Sequence, residues 1–315
     1  MELVLSYTFF FLCILLLGTI AGIFSERVGI VNIAINGFMV FGTLMYIAIS
    51  VVFQKLIGNQ GGSEWNQIWI TLFAGGLTSL FALLFGFATI KLKSEQTISG
   101  FAINLLSAGV AALLILVLLK FQNAGTVLTF NGRSELALGP STSWKNIISF
   151  KLLVTIIITV ASWYALRKTK WGLRFRAIGE NPQAADVAGV NVNKTKWQGI
   201  LISGFIAGIS GALYAQTNIA SFSITKDVQG LGYIALSIMI TGRWKVTLSV
   251  LVSFFFSLLL AISFYGVSLF PADFVKYKDL FNILPYALTL ILMLVSSKNS
   301  YGPAAAGIPY DKSQR

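Results

Sequence analysis

Two asparagines, Asn32 and Asn36, stand four residues apart in the stretch SERVGIVNIAINGFM, so on a helix they share one face. An amide donates and accepts hydrogen bonds without carrying charge, which is chemistry suited to a neutral sugar or base. Asn104, in ISGFAINLL, and Gln216 are further amides inside uncharged runs. Polar side chains at membrane depth are costly unless they are paired or face water, so all four are candidates for lining a substrate path. The competing reading is a hydrogen bond to a neighbouring helix, typically worth under about 2 kcal/mol. The two readings weigh equally for Asn32 and Asn36, and the interhelical bond weighs slightly more for Asn104 and Gln216. Phe222, in ASFSITKD, is an aromatic that would stack on a base or sit in an interfacial belt, the belt being favoured.

Catalytic chemistry has little to stand on. The chain has no histidine, which removes the usual general base, metal ligand and pH switch. No Gly-x-x-x-x-Gly-Lys-[Ser/Thr] stretch occurs, so no phosphate cradle for ATP is expected, and no metal-ligand cluster or nucleophile elbow is visible. The expectation is a non-enzyme without metal or cofactor of its own. The single cysteine, Cys13, lies inside an apolar run and allows no intrachain disulfide.

The elements that must position these amides are membrane spans. Of 315 residues 56% are hydrophobic and 11% charged, a membrane composition. A hydrocarbon core of about 30 Å needs roughly 20 apolar helical residues. Uncharged or nearly uncharged runs cover 3–24, 28–54, 65–90, 96–119, 146–166, 197–225, 228–242, 246–272 and 280–297. That predicts an all-α polytopic membrane protein of about nine spans. The first run exceeds a signal-peptide core and lacks its basic flank, so it reads as a retained span. The seventh, 15 residues and glycine-bearing, reads as broken or partial.

The net charge of +12 is explained by topology. With the loop at 167–197 inside, 15 of the 23 Lys and Arg fall inside and eight outside, so the chain starts outside and its tail, 299–315, ends in the cytoplasm. Nucleic acid is not implied; the aromatic share is ordinary for a lipid-facing surface. In the span at 197–225, Ser203, Ala207 and Gly211, with Gly204, Gly208 and Ala212 beside them, form two small-residue ridges for close helix packing.

One loop is unusual. In RAIGENPQAADVAGVNVNK, Asn181 followed by Pro182 reads as an N-cap with proline at the first helical position, and Gly189 as a left-handed C-cap. The helix between them, with Ala184, Val187 and Ala188 on one side, is too short to hold itself in water and needs a partner. That partner is either its own membrane domain or a cytoplasmic protein.

The stretch RKTKWGLRFRAIGENPQAADVAGVNVNKTKWQGILISGFIAGISGALYA resembles the signature region of bacterial ABC transporter permeases of the branched-chain amino acid, ribose and nucleoside type. SERVGIVNIAINGFM, ISGFAINLL, QGLGYIALSIMITGRW, LPYALTLILML and GPAAAGIPY extend the resemblance over nearly the whole chain, the last with Gly-Arg-Trp pointing to the nucleoside subgroup. The resemblance implies a permease domain over 1–298 in the bacterial plasma membrane, with a cytoplasmic coupling helix gripped by an ATPase subunit. It also implies a second homologous permease chain, a substrate-binding lipoprotein, and ATP and magnesium held in the ATPase. Arg176, Gly179, Glu180, Asn181, Pro182, Ala184, Ala185 and Gly189 are the positions it assigns to coupling. It further implies a re-entrant or broken segment around 25–37. Where the relatives commonly carry Asn-Ile-Gly-Leu-Glu-Gly, this chain has Asn32-Ile33-Ala34-Ile35-Asn36-Gly37, an amide in place of a carboxylate. Cargo of a sugar or branched-chain amino acid, or an ion-gradient-driven transporter without any ATPase, are the alternatives.

Overall fold

The computed structural model describes residues 2–57, 64–122, 136, 147–216, 228–265, 302–311 and five positions between 283 and 291. Among them the elements are all helices: α1 (Glu2–Glu26), α2 (Ile35–Ile57), α3 (Asn66–Gly86), α4 (Gln96–Gln122), α5 (Phe150–Lys168), α6 (Lys170–Glu180), α7 (Pro182–Val187), α8 (Val192–Ala215), α9 (Leu231–Thr241) and α10 (Val246–Tyr265). A five-residue π-helical turn, Phe87–Lys91, extends α3. Seven of these helices are long and apolar enough to cross a membrane. Most of the ninth expected span, 280–297, falls outside the described residues, as do Phe222 and most of the 122–145 connection.

Two boundaries differ from the uniform apolar runs in the sequence. The second span begins at Ile35 rather than 28, because residues 27–34 are irregular. The expected break is therefore present, as the irregular connection between α1 and α2. The seventh is α9, 11 residues long. At 1.5 Å per residue it reaches about 16 Å, roughly half of a hydrocarbon core.

Burial orders the bundle. In α1, 89% of the most apolar window is buried, and in α8 78%, against 22% in α5. α1 and α8 are thus central, and α5 shows most of its surface to its surroundings. The small residues of α8 make this possible. A Cβ on Gly211 would run into the Met39 carbonyl of α2, and Gly42 of α2 lies against the Gly208 backbone. Hydroxyls tie the same contacts: Thr43 Oγ1 donates to Gly211 O at 2.9 Å and Ser210 Oγ to Ile14 O at 2.8 Å. Bonds of this kind satisfy polar groups where no water is available.

One end of the bundle gathers the end of α1, residues 27–34, the start of α4, the end of α5, α6, α7 and the tail segment 302–311. The start of α4 is capped there by Glu95, whose carboxylate accepts from the backbone N–H groups of Ile98 (2.6 Å) and Thr97 (3.0 Å). Those bonds hold it below the usual carboxylate range.

Candidate functional site

The four amides occupy distinct settings. Asn32 is fully buried in the irregular segment; its Nδ2 donates to Ser203 Oγ at 3.1 Å. Its Oδ1 has no hydrogen-bond partner among the described residues. Asn36, in the first turn of α2, accepts through Oδ1 from the backbone N–H of Gly232 at 3.2 Å. Gly232 is the second residue of α9, so Asn36 caps the half-helix from a neighbouring helix, satisfying an N–H that no helical carbonyl can reach. A Cβ at position 232 would collide with the Asn36 backbone, so only glycine lets the two elements meet. The approach to α9 is itself left-handed, with φ of 54° at Gln229 and 69° at Gly230.

Asn104 of α4 serves the same region. It accepts from Gly37 N at 2.7 Å and donates to Ile33 O and Tyr233 Oη, both at 3.1 Å. Backbone groups exposed by the break in helicity are paired in this way, as irregular backbone at membrane depth requires. Asn32, Asn36 and Asn104 are thus brought together around the 27–34 segment and the start of α9. Gln216 is not: at the far end of α8, its Nε2 donates to Thr71 Oγ1 at 2.8 Å.

The second site lies at the α6–α7 end. Thr169 caps α6 by accepting from Gly172 N at 3.0 Å, and Asn181 Oδ1 caps α7 by accepting from Ala184 N at 2.9 Å. Pro182 opens α7, and Gly189 follows with φ of 81°, as the sequence predicts. The support for this six-residue helix comes from its own chain. Ala185 is buried in a small cluster with Ile178 of α6 and Val192 of α8, joined by Val190 and Tyr310. The face toward the bundle is therefore Ala185, and Ala184, Val187 and Ala188 are exposed, Val187 at 77%.

Beneath α7 the distant segments quoted above meet. Glu180 Oε1 lies 3.7 Å from Arg27 Nη1, and its Oε2 accepts from Ala304 N at 3.5 Å. Ala305 N donates to Gly179 O at 2.8 Å, and Gly179 packs on the Arg27 carbonyl, where no Cβ would fit. Arg27 donates from Nε and Nη2 to Trp244 O at 3.2 and 3.0 Å. The buried Glu26 carboxylate accepts from Trp244 Nε1 at 2.6 Å and from the Asn32 backbone N–H. Lys93 and Asp311 form an ion pair at 3.1 Å. Burial holds the Arg27 guanidinium below its ordinary value; Glu180 opposes this, and the like charge of Arg176 adds to it.

Glu26, Arg27 and Trp244 were not singled out as site residues in the sequence. A signal existed: Glu26 is the sole acidic residue between 3 and 63, placed where an apolar run ends. No group of three or more potential metal ligands occurs among the described residues.

A family model described as the permease component of the branched-chain amino acid transport system matches residues 4–295. The nucleoside ABC transporter permease protein NupC of Lactococcus lactis subsp. cremoris is 32% identical, over 95% of this chain and 94% of its own. The guanosine ABC transporter permease protein NupQ of Bacillus subtilis is 31% identical, over 100% of this chain and 98% of its own. No solved structure matches the chain. With nearly all of its length matched, and seven described helices long and apolar enough to cross a membrane, the chain belongs to the branched-chain amino acid transport system permease family.

Proposed function

We propose that this chain is the membrane-spanning subunit of an ABC importer for nucleosides, with ATP and magnesium handled by separate ATPase subunits. A substrate-binding lipoprotein delivers cargo, and a second, related permease chain completes the translocation path. The α6–α7 end and the C-terminal tail face the cytoplasm of a bacterial plasma membrane, consistent with the basic residues gathered there. The substrate reading rests on near full-length similarity to two permeases named for nucleoside and guanosine transport.

The observation that carries the ATPase contact is the build of α7. A helix of six residues is capped at both ends and anchored through one buried alanine, and it presents Ala184, Val187 and Ala188 outward. Arg176, Gly179, Glu180, Asn181, Pro182, Ala184, Ala185 and Gly189 form or seat that ledge. Moving a two-state permease from 1:99 to 99:1 takes about 5.5 kcal/mol of differential binding, which a rigidly held contact can transmit. Asn32, Asn36, Asn104, Gln216 and Phe222 are the proposed path residues, the first three supported by their convergence at the helix break.

Detergent extraction with an affinity tag on this chain is expected to bring down an ATP-binding protein. Proteoliposomes holding that complex and the lipoprotein are expected to take up a nucleoside only with ATP inside the cytoplasmic compartment. Uptake driven by a proton or sodium gradient without the ATPase would reject the importer reading. ATP-driven uptake competed by a sugar or a branched-chain amino acid, but by no nucleoside, would keep the architecture and change the cargo.

A further inference from the structure

A cleft of about 450 Å³ opens where α5 ends and α10 begins, lined in part by Arg27, Arg167, Arg176 and Lys245. Four cations line it, and the neighbouring carboxylates are already engaged, Glu180 with Arg27 at 3.7 Å and Glu26 with the Trp244 indole at 2.6 Å. Trp163 lines the same cleft, and its buried indole N–H has no partner among the described residues. The first turn of α10, Val246 to Leu248, completes the wall, and its backbone N–H groups have no preceding helical carbonyl to bond. The side-chain charge on this lining is all positive, and the Trp244 carbonyl is already taken by Arg27. Burial lowers the proton affinity of Arg27, Glu180 opposes this, and the like charge of Arg176 adds to it, so an anion in the cleft would relieve both the burial and the repulsion.

Its depth identifies the kind of anion. The apolar spans of α5 and α10 terminate at Lys168 and Val246, so the cleft sits at the membrane boundary. Further along the same two helices the exposed side chains are apolar: Val160 and Tyr164 on α5, Leu251, Phe254 and Phe255 on α10. A polar mouth of donors above an apolar flank matches a phosphodiester head group with its acyl chains.

We propose that this cleft is a phosphate-binding site that seats the head group of an anionic phospholipid. The occupant holds the end of α5 to the start of α10, and through Arg27 and Trp244 it touches the residues that support α7. The claim goes beyond the transport reading, because it concerns a lipid and stands whatever the cargo is.

The test uses the permease–ATPase complex in nanodiscs of phosphatidylcholine mixed with phosphatidylglycerol, followed by native mass spectrometry. The wild-type complex is expected to retain phosphatidylglycerol in preference to phosphatidylcholine. Equal retention of both lipids would overturn the proposal without any variant. Arg167→Gln with Lys245→Gln is expected to cut that retention about thirtyfold, and either change alone about fivefold, from the contribution of each cation near a membrane surface. Trp163→Phe, which keeps the ring and removes only the N–H, is expected to weaken retention a few-fold. Lys170→Gln with Arg174→Gln removes the same charge from exposed positions outside the cleft lining and is expected to leave retention unchanged. An equal loss in both double variants would reduce the effect to general surface charge and overturn the site. Inorganic phosphate titrated calorimetrically into phosphatidylcholine-only discs separates the sources. Binding lost in Arg167→Gln/Lys245→Gln would overturn the lipid as occupant and assign the cleft to free phosphate.

Discussion

Glu180 shows how little energy a coupling contact needs. Its ion pair with Arg27 is 3.7 Å long and its side chain is 56% exposed, so its direct contribution to stability is on the order of 1 kcal/mol or less. Glu180→Lys should therefore fold and insert normally. It also places a third cation beside Arg27 and Arg176 and removes the acceptor for Ala304 N. Nucleoside taken up per ATP hydrolysed is expected to fall about tenfold, within the usual range of coupling energies. Normal coupling in that variant counts against α7 as the transmitting ledge. Asn36 makes a second case. Asn36→Leu removes the cap on α9 and leaves the Gly232 N–H without an acceptor, a loss of about 1–3 kcal/mol, whereas Asn36→Asp keeps the accepting oxygen. Uptake is expected to drop with leucine and largely survive with aspartate, with ATPase co-purification constant in both. Unchanged uptake in the leucine variant would remove Asn36 from the path. The amides themselves were legible from their spacing and depth. Their partners were not, because Asn36 with Gly232 and Asn104 with Gly37 are pairs that only the folded chain creates.

Among the elements, α8 was the most legible and α9 the least. The small residues of α8 recur at helical spacing, so the ridge is visible in the sequence, and the structure uses it for backbone-to-backbone contact with α2. Gly211→Ala or Gly42→Ala is expected to cost about 1–3 kcal/mol, because each methyl group meets backbone rather than a side-chain end that can move. Gly76→Ala and Gly109→Ala, where a Cβ meets nothing, should be neutral or stabilise by up to about 1 kcal/mol. Thermal unfolding of the detergent-solubilised variants separates the two groups. The start of α2 and the limits of α9 escaped hydropathy for a physical reason. Residues 27–34 and 228–230 carry few charges, and a helix break satisfied by Asn104 or Asn36 costs no visible polarity in the run. The caps of α7 were readable, since Asn181, Pro182 and Gly189 act locally. The helix before it, α6, was not recognised as an element of its own, although Phe175 and Ile178 are buried. Which face of α7 is supported was not legible, because the single buried contact, Ala185, depends on where α6 and the tail lie.

At the scale of the whole molecule, α7 is wired to the two most buried helices by separate routes. Asn191 caps α8 by accepting from Lys194 N at 3.0 Å, so α7 runs almost directly into α8. Glu180 with Arg27, and Gly179 with Ala305, lead instead to the end of α1 and to the 27–34 segment that carries Asn32. These contacts join the α6–α7 end to the segment that carries the amide cluster through protein alone. The arrangement has meaning only if α7 lies on the side where ATP is found, and Val187 allows that to be measured. It is 77% exposed, and the only native cysteine, Cys13, is 2% exposed within α1 and offers a membrane-impermeant maleimide almost no background. Val187→Cys is expected to label in inside-out vesicles and to stay unlabelled in right-side-out ones. Adding the ATPase should slow the inside-out reaction, because it covers the same face. Labelling from the right-side-out face would put the ledge where no ATPase can reach it. Labelling from the inside with no protection would leave the sidedness intact and take away the docking role.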